Sequence, residues 1–235
     1  MKAMLLAAGR GTRLAPLTDT TPKILAPFGE RPLLAHQLEY LQRAGVSEIA
    51  LNVHHHADQV LDCLRELRPD VPVRVSHERE LLGTAGALVP LRDFFDEPAI
   101  VLYGDVLTDA SLIELMDEHR RRQPLATLAV YGSHESAGKG VVRVDESGRV
   151  LAFVEKPPAA EGEVLVNAGL YVVAPALLEL IGAGASDFGH DVWPRALAAG
   201  HTLRASVLDA YVRDIGSPTQ LAAASDDLAA GALAW

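Results

Sequence analysis

The sequence has little of several features that define particular classes of protein. Cys63 is its only cysteine, so no disulfide can form within the chain, and this usage is typical of a reducing compartment such as the cytoplasm. No run approaches the roughly 20 apolar residues that a membrane-spanning helix needs. The brief apolar start leads into Gly9 and Arg10, which is not the pattern of a signal peptide. We therefore expect a cytoplasmic protein with no membrane partner.

Positive charge is scarce as well. The chain has 31 Asp and Glu residues against 21 Lys and Arg residues, which gives a formal net charge of -10. A nucleic-acid-binding surface needs a basic stripe that displaces counterions from phosphates. We therefore expect no nucleic-acid partner, and any positive charge that matters for function must be local.

Composition and periodicity predict one α/β domain over residues 1–235. The chain is 49% hydrophobic, which is enough for a sizeable core. In its first half, short apolar runs alternate with segments of helical period. Strands are predicted in AMLLAA, EIALNV, VPVRVS and PAIVLYGD, and helices in PLLAHQLEYLQRAG, ADQVLDCLREL, GTAGALVPLRDFF and SLIELMDEHRRR. This alternation predicts a doubly wound, mainly parallel, Rossmann-like sheet with helices on both faces.

The pattern changes at about residue 126. The segments ATLAVYG, GVVRVDESGRVLAFVE and VLVNAGLYVV are mostly strand-like, and the turn from Asp145 to Gly148 predicts an antiparallel hairpin. Two more strands and a closing helix follow in TLRASVLDAYVRDIGSPTQLAAASDDL. The sheet should therefore be mixed, with a small antiparallel lobe on the substrate side.

Polar residues interrupt the apolar pattern where predicted strands end. These residues are Gly9 to Arg13, His77 and Glu78, Asp105, Glu155 and Lys156, and Asp214. Ligands of open α/β sheets bind outside the carboxyl ends of the strands. The five segments therefore predict one binding crevice.

The glycine loop after the first strand is a candidate phosphate site. Glycines let backbone N–H groups approach phosphate oxygens, and Arg13 can add a charge-assisted contact. Leu14 stands where a dinucleotide fingerprint has glycine, and no Walker A lysine follows. The loop alone is equally consistent with a purely structural turn.

The aspartates and lysines can likewise be interpreted either as functional groups or as ordinary structural or solvated residues. Asp105 and Asp214 at strand ends suit Mg²⁺, which takes a few protein oxygens and completes its shell with phosphate and water. A single such aspartate is more often a turn or a helix cap, and Lys23 or Lys156 alone could be a solvated charge. His54, His55 and His56 lack metal-ligand spacing, so surface or cap positions are favoured for them. No arrangement of Ser, Cys or His suggests a covalent nucleophile.

Six motifs in a fixed order carry a family resemblance. They are LAAGRGTRLAPLT with Pro22 and Lys23, LGTAGAL at 82–88, YGD ending at Asp105, FVEKP at 153–157, NAGLY at 167–171 and DIGSP at 214–218. With them the chain resembles the sugar-1-phosphate nucleotidyltransferases, or NDP-sugar pyrophosphorylases, over nearly its whole length. SHERELLGTAGAL is most similar to the GDP-mannose pyrophosphorylase branch. The sequence ends at Trp235 without the hexapeptide-repeat domain that many members carry.

The resemblance implies a reaction and a set of site residues. A sugar 1-phosphate attacks the α-phosphorus of an NTP and releases pyrophosphate, with about residues 1–125 binding the nucleotide and about 126–216 the sugar phosphate. Catalytic roles fall on Arg13, Lys23 and Asp105, and Mg²⁺ ligation on Asp105 and Asp214. Nucleotide contacts fall on Ala8, Gly9, Gly11, Thr12, Arg13, Glu78, Gly83 and Thr84. Sugar-phosphate contacts fall on Gly140, Glu155, Lys156 and Asn167.

The base and the sugar stay open at this point. The branch resemblance favours GTP with mannose 1-phosphate or a similar hexose, heptose or cyclitol 1-phosphate, with Glu78 accepting hydrogen bonds from guanine. Ile24, Leu81 and Lys139 depart from that branch. The alternatives are a dTTP- or UTP-dependent glucose- or amino-sugar-1-phosphate nucleotidyltransferase, and a non-catalytic nucleotide-sugar-binding subunit. A homodimer is the expected assembly.

Overall fold

The computed structural model describes residues 1–158 and 162–233, so Trp235 lies outside the described residues. The strands, in chain order, are β1 (Lys2–Leu6), β2 (Pro27–Phe28), β3 (Arg31–Pro32), β4 (Glu48–Val53), β5 (Val73–His77), β6 (Ala99–Tyr103), β7 (Val106–Thr108), β8 (Ala126–Ser133), β9 (Val141–Val144), β10 (Val150–Val154), β11 (Val164–Val173), β12 (Leu203–Val207) and β13 (Val212–Asp214).

The α-helices are α1 (Leu33–Arg43), α2 (Ala57–Leu67), α3 (Gly83–Gly86), α4 (Leu112–Arg122), α5 (Trp193–Ala198) and α6 (Pro218–Ala229). Short 3-10 segments occur at Thr12–Leu14, Leu17–Asp19, Lys23–Leu25, Val89–Phe94 and Pro175–Leu180, and a π-helix at Phe188–Val192. None of the helices in the described ranges has the length and apolar character required to cross a membrane.

Most of the predicted elements are confirmed, and one helix is wrong. β4 and α2 coincide with the predicted segments EIALNV and ADQVLDCLREL. The helix predicted over GTAGALVPLRDFF ends after one turn at Gly86, and a 3-10 segment follows in which Leu91 is not helical (φ -111°, ψ 25°). Pro90 has no N–H to donate and the glycines have low helix propensity, so apolar spacing alone overestimated the helix.

The chain divides into two compact units. The first unit contains Met1–Leu81, Leu102–Ala110 and Ala210–Trp235. In it β4 pairs in parallel with β1 and with β5, and β7 pairs antiparallel with β13. Its core includes Met4 and Leu51 from the strands and Leu34 and Leu41 from α1, all essentially inaccessible to solvent. Full burial of one such side chain contributes about 1.5–3 kcal/mol.

The second unit contains Leu82–Val101 and Ser111–Asp209. β11 pairs antiparallel with β8 and β9, β9 with β10, and β12 runs parallel to β8. The predicted hairpin is confirmed, because β9 and β10 are joined by a turn in which Asp145 accepts the N–H of Ser147 and of Arg149. Tyr171, Phe188 and Trp193 form a buried aromatic cluster whose ring centroids lie 4.8–5.1 Å apart.

The predicted fold class is confirmed: the protein is α/β, with a mixed sheet whose central strands are mostly parallel and with smaller antiparallel parts. The two compact units do not coincide with the predicted halves on either side of residue 125, because residues 82–101 and 111–125 belong to the second unit and Ala210–Trp235 to the first. A single domain over 1–235 stays a prediction.

Candidate active site

The glycine loop follows β1 directly. Gly11 has a φ of +62°, and a Cβ there would lie 2.9 Å from Thr18 Cγ2 and 3.0 Å from Lys23 Cβ, so this turn requires glycine. Its carbonyl accepts the N–H of Leu14 (2.8 Å) and the hydroxyl of Thr18 (2.9 Å). Ala8 is buried, whereas Gly9, Thr12 and Arg13 are exposed. The loop is therefore fixed from within while its outer groups face solvent.

Lys23 and Asp105 form a short ion pair in the first unit. Lys23 begins a 3-10 turn after Pro22, and Asp105 lies between β6 and β7. Lys23 Nζ lies 2.6 Å from Asp105 Oδ2, with the lysine side chain 11% exposed and the aspartate 31%. The pair brings together two residues that are 82 positions apart in the sequence.

Asp214 ends β13 and joins this pair. Asp214 is opposite Val106 in the antiparallel ladder with β7, and the N–H of Ile215 donates to the carbonyl of Asp105 (3.0 Å). Asp214 Oδ1 is buried and has no hydrogen-bond partner among the described residues. Burial and the charge of Asp105 raise the pKa of Asp214, while Lys23, Arg13 and a hydrogen bond from the backbone of Gly216 act in the opposite direction.

Arg13 completes a four-residue cluster with Lys23, Asp105 and Asp214, which we call the charge cluster. Arg13 Nη2 lies 3.9 Å from Asp214 Oδ2. A Cβ at Gly216 would lie 2.7 Å from the same nitrogen, so the glycine leaves the space that the guanidinium occupies. The sequence prediction did not assign a role to Gly216, although it lies in the DIGSP motif.

Glu78 is held inside the first unit. Its residue exposure is only 3%, and its Oε1 accepts a hydrogen bond from Asn52 Nδ2 (2.7 Å). Asn52 Oδ1 accepts the N–H of Ala7 at 2.8 Å. The sequence prediction overlooked Asn52, although a polar residue within the apolar strand EIALNV was a signal that could have identified it.

The turn between β4 and α2 supports the segment that follows the glycine loop. His56 stands at the N-cap of α2 with φ +52°, and its Nε2 contacts the carbonyl of Asp19 (3.1 Å). Gln59 Nε2 donates to the carbonyl of Thr20 (2.9 Å). A carbonyl only accepts hydrogen bonds, so Nε2 of His56 carries the proton in this contact. The cap position predicted for the histidines is found at His56.

In the second unit, Gly83 and Thr84 contact the segment before the π-helix. Gly83 has φ +74°, and a Cβ there would lie 2.5 Å from the carbonyl oxygen of Ser186. The N–H and the hydroxyl of Thr84 both donate to Asp187 Oδ1 (3.1 and 3.0 Å). The Thr84 hydroxyl also accepts the N–H of Phe188 (3.0 Å). The sequence prediction did not anticipate these partners.

The residues predicted to bind the sugar phosphate lie close together in the second unit. Glu155 Oε2 is 3.1 Å from the position of a Cβ on Gly140, and a Cβ on Gly189 would also contact it. Asn167 donates its N–H to the carbonyl of Gly140 (2.8 Å) and its Nδ2 to the hydroxyl of Tyr171 (2.7 Å). Two glycines therefore leave room around one carboxylate oxygen.

Lys156 adds an exposed cation beside this carboxylate. Its backbone has φ +47°, and its N–H donates to the carbonyl of Lys139 (3.1 Å). Its Nζ lies 3.8 Å from Glu155 Oε1, and the side chain is 62% exposed. Such an exposed pair contributes little stability, which leaves the lysine available to an anion.

The two carboxylates of the charge cluster are candidate ligands for a metal ion. Over residues 1–158 and 162–233, no group of three or more His, Cys, Asp or Glu side chains is arranged to hold a metal ion. Asp105 and Asp214 are two neighbouring carboxylates, one of which has a buried oxygen without a hydrogen-bond partner. Mg²⁺ in phosphate sites uses one or two carboxylates, so the pair fits that ion.

Comparison with protein families gives a match over almost the whole chain. The profile of the nucleotidyl transferase family covers residues 2–231. The probable mannose-1-phosphate guanylyltransferase 1 of Oryza sativa subsp. japonica is 37% identical over 225 residues, and the mannose-1-phosphate guanylyltransferase catalytic subunit beta of Xenopus tropicalis is 37% identical over 224. Each match covers 93% of this chain, but the chain spans only 62% of the length of each relative.

Solved structures have the same fold over nearly their full length. HddC from Yersinia pseudotuberculosis, complexed with GMP-PN, superimposes with a TM-score of 0.82 at 26% identity and covers 97% of this chain and 99% of its own. A putative glucose-1-phosphate thymidylyltransferase from Bacillus anthracis gives a TM-score of 0.86 at 21% identity, covering 96% and 94% of the two chains. At that identity the second match demonstrates the fold alone.

Proposed function

Because this chain belongs to the nucleotidyl transferase family, we propose that it joins an NTP to a sugar 1-phosphate, giving an NDP-sugar and pyrophosphate. The proposed substrates are GTP and mannose 1-phosphate or a similar hexose, heptose or cyclitol 1-phosphate. The observation that carries this proposal is the charge cluster, in which two cations and two carboxylates lie next to a glycine loop.

The first unit suits the nucleotide half of the reaction. The exposed residues Gly9, Thr12 and Arg13 would bind the triphosphate, with Ala8 and Gly11 holding the turn in shape. Arg13 would stabilise the charge on the departing pyrophosphate, and Lys23 would exchange its contact with Asp105 for an α-phosphate oxygen. Catalysis of this kind depends on positioning and on charge stabilisation.

The proposed chemistry needs no protein nucleophile. A phosphate oxygen of the sugar 1-phosphate forms a bond to the α-phosphorus, and the bond from that phosphorus to the bridging α-β oxygen breaks, so that pyrophosphate leaves with the electron pair. The attacking phosphate has a second pKa of about 6 and is largely ionised at neutral pH. A general base is therefore not required, which agrees with the absence of a predicted nucleophile in the sequence.

We assign Mg²⁺ to Asp105 and Asp214. The buried, unpartnered Oδ1 of Asp214 supports this assignment, because a buried acceptor without a donor is costly unless a cation occupies it. The ion, when bound, supplies neutralisation of the phosphate charge. Asp105 and Asp214 would hold it beside the triphosphate, and the same carboxylates would keep Arg13 and Lys23 directed at the phosphates.

The second unit would bind the sugar phosphate. Lys156 would bind its phosphate, and Glu155 would accept hydrogen bonds from sugar hydroxyls in the space left by Gly140 and Gly189. Asn167 would contact the sugar while its amide is held by Tyr171. Gly83 and Thr84 are assigned to the base and ribose; in this structure both the N–H and the hydroxyl of Thr84 donate to Asp187.

The preference for GTP rests on two kinds of support. The curated relatives are named guanylyltransferases, and HddC is complexed with GMP-PN. Glu78 carries a carboxylate of the type that pairs with guanine N1–H and the 2-amino group, and its oxygen Oε1 is oriented by Asn52. A homodimer and a cytoplasmic location stay predictions.

The decisive experiment measures pyrophosphate release for each NTP with each sugar 1-phosphate in Mg²⁺. We expect the highest kcat/KM with GTP and a rate lower by about 100-fold or more in Asp105→Asn. High turnover with dTTP or UTP and none with GTP would contradict the base assignment. Binding of nucleotide sugars without turnover in any combination would favour a regulatory subunit.

A further inference from the structure

We infer that Asn52 is a positioning residue whose side-chain amide links the Glu78 carboxylate to the start of the glycine loop through two hydrogen bonds. Through these hydrogen bonds Asn52 couples recognition of the base to placement of the phosphate-binding backbone. The base-recognition part rests on the proposed function. The positioning part rests only on hydrogen bonds within the first unit.

The first of the two hydrogen bonds joins Asn52 to the start of the loop. Asn52 lies on β4, is 3% exposed and is opposite Leu6 in the parallel ladder. The carbonyl of Leu6 accepts the N–H of Gly104 (2.9 Å), whereas the N–H of Ala7 donates to Asn52 Oδ1 (2.8 Å). Ala7 is the first residue after β1 and precedes Gly9 by two positions. A side chain thus directs the backbone where the ladder ends and the loop begins.

The second hydrogen bond joins Asn52 to Glu78. Asn52 Nδ2 donates to Glu78 Oε1 at 2.7 Å. The Glu78 backbone is fixed as well, since its N–H donates to the carbonyl of Val53 (2.8 Å) and its own carbonyl accepts from His54 Nδ1 (2.9 Å). Both the backbone and the side chain of Glu78 are therefore held by β4 and the residue after it.

The amide of Asn52 has one orientation in which both contacts are satisfied. A flipped amide would place Oδ1 against the Glu78 carboxylate and Nδ2 against the N–H of Ala7. An acceptor would then face an acceptor, and a donor would face a donor. The side chain is buried, and a buried group that loses its partner carries the full desolvation penalty. A displacement of Glu78 is therefore transmitted through one amide to the N–H of Ala7.

The test compares wild type with N52D and with N52D/E78Q. In N52D two carboxylates face each other and the contact with position 78 is lost. In N52D/E78Q the same hydrogen bond re-forms with its direction reversed, from the amide at position 78 to the carboxylate at position 52, and the acceptor for the N–H of Ala7 is kept. T127V is the matched control, because it removes another buried hydrogen bond, between Thr127 and His119, in the second unit.

Two readouts separate positioning from base recognition. Hydrogen exchange of peptides covering residues 5–12 reports on the loop, and the ratio of kcat/KM for GTP to that for UTP reports on the base. We expect N52D to speed exchange and to lower the ratio by about tenfold each, since a hydrogen bond to a charged group is lost. N52D/E78Q should restore exchange to within about threefold of wild type while the ratio stays low, because the carboxylate that pairs with guanine is absent.

Each outcome decides the inference. Exchange and base ratio in N52D within about twofold of wild type, or a double variant with unrestored exchange, overturns it. A T127V variant with the same loop exchange as N52D also overturns it, because the effect would then be general destabilisation. If wild type makes no product with any NTP, the proposed function fails, and the exchange data still decide the positioning role. If N52D does not fold, the double variant must fold with a protected loop for the inference to stand.

Discussion

Arg13 lies against the backbone of Gly216, and this contact depends on the absence of a single methyl group. A Cβ at Gly216 would lie 2.7 Å from Nη2 and 2.9 Å from Cζ of the guanidinium. The residue is buried, so the side chain of Arg13 would have to move away. The orientation of the cation toward Asp214 is therefore encoded at two positions that are about two hundred residues apart in the chain.

Gly216→Ala is expected to lower kcat/KM by about tenfold or more, which corresponds to ~1.4 kcal/mol of lost transition-state stabilisation, because the guanidinium is displaced from the phosphates. Steady-state kinetics with GTP and the preferred sugar phosphate measure this effect. Gly182→Ala is the matched control, since a Cβ there meets no described atom within 4 Å. Equal activity of both variants would show that the position of Arg13 does not matter.

The charged carboxylate of Asp214 is expected to destabilise the folded state, although the proposed function requires it as a metal ligand. Its raised pKa means that the folded state disfavours the charged form, so the destabilisation is present at pH values above that raised pKa and is lost as the pH falls through it. Asp214→Asn should therefore raise Tm at neutral pH. The side chain is 44% exposed and solvent screens it, so the expected rise is small, about 1–3 °C.

Calorimetry of wild type and Asp214→Asn from neutral pH down to pH 4 checks this prediction. The difference in Tm should be largest at neutral pH and should shrink as the pH falls, while activity is lost at every pH. A difference that grows toward acid pH would mean that the pKa of Asp214 is lowered in the folded state rather than raised.

At the scale of elements, the first turn of α3 is a contact surface for the segment around Ser186. The N–H groups of Ala85 and Gly86 both donate to the carbonyl of Ser186 at 2.9 Å, and the N–H of Ser186 donates back to the carbonyl of Leu82. Thr84 and Asp187 add two side-chain hydrogen bonds. The first N–H groups of a helix have no partner within the helix, so those of α3 can join two segments about 100 residues apart.

Gly83→Ala is expected to destabilise the fold by about 2 kcal/mol or more, because φ is +74° and the new Cβ would lie 2.5 Å from the Ser186 carbonyl oxygen. Thermal unfolding measures it as a fall in Tm of roughly 4–8 °C. The control is Gly200→Ala, where φ is +79° but no described atom lies within 4 Å of the added Cβ. A similar fall in both variants would attribute the cost to φ alone and not to the contact.

At the scale of the whole molecule, the strongly negative net charge contrasts with two cations that lie together at one place. The chain carries a formal net charge of -10, yet the proposed nucleotide site holds Arg13 and Lys23. Two aspartates accompany these cations and offset their charge, so we expect the site to accept a triphosphate together with an additional cation. Folding stability should therefore depend on nucleotide and metal together.

GTP with Mg²⁺ is expected to raise Tm by about 5 °C or more at 100 times the dissociation constant, since a ligand at that excess stabilises the folded state by ~2.7 kcal/mol. GTP with EDTA should raise Tm less, because the triphosphate then faces Asp105 and Asp214 without a counter-ion. Differential scanning fluorimetry of wild type and Asp105→Asn measures both effects. Equal shifts with Mg²⁺ and with EDTA would contradict the metal assignment.

The sequence by itself determined the α/β class and most elements, and it identified the candidate residues by their chemical type. Apolar periodicity and turn residues act over a few positions, so β4, α2 and the hairpin at Asp145 could be derived from local pattern. The residue types at the strand ends likewise predicted phosphate and metal contacts, and these contacts stay predictions. Local pattern failed at α3, where Pro90 and the contacts to Ser186 override the apolar spacing.

Only the tertiary structure decided which of these residues meet. The pairing of β7 with β13 places Asp214 beside Asp105, Gly216 leaves the space for Arg13, and Asn52 joins Glu78 to the glycine loop. Each of these contacts joins residues that are far apart in the chain. Their distances follow from strand pairing and packing, which the periodicity of a short segment does not specify.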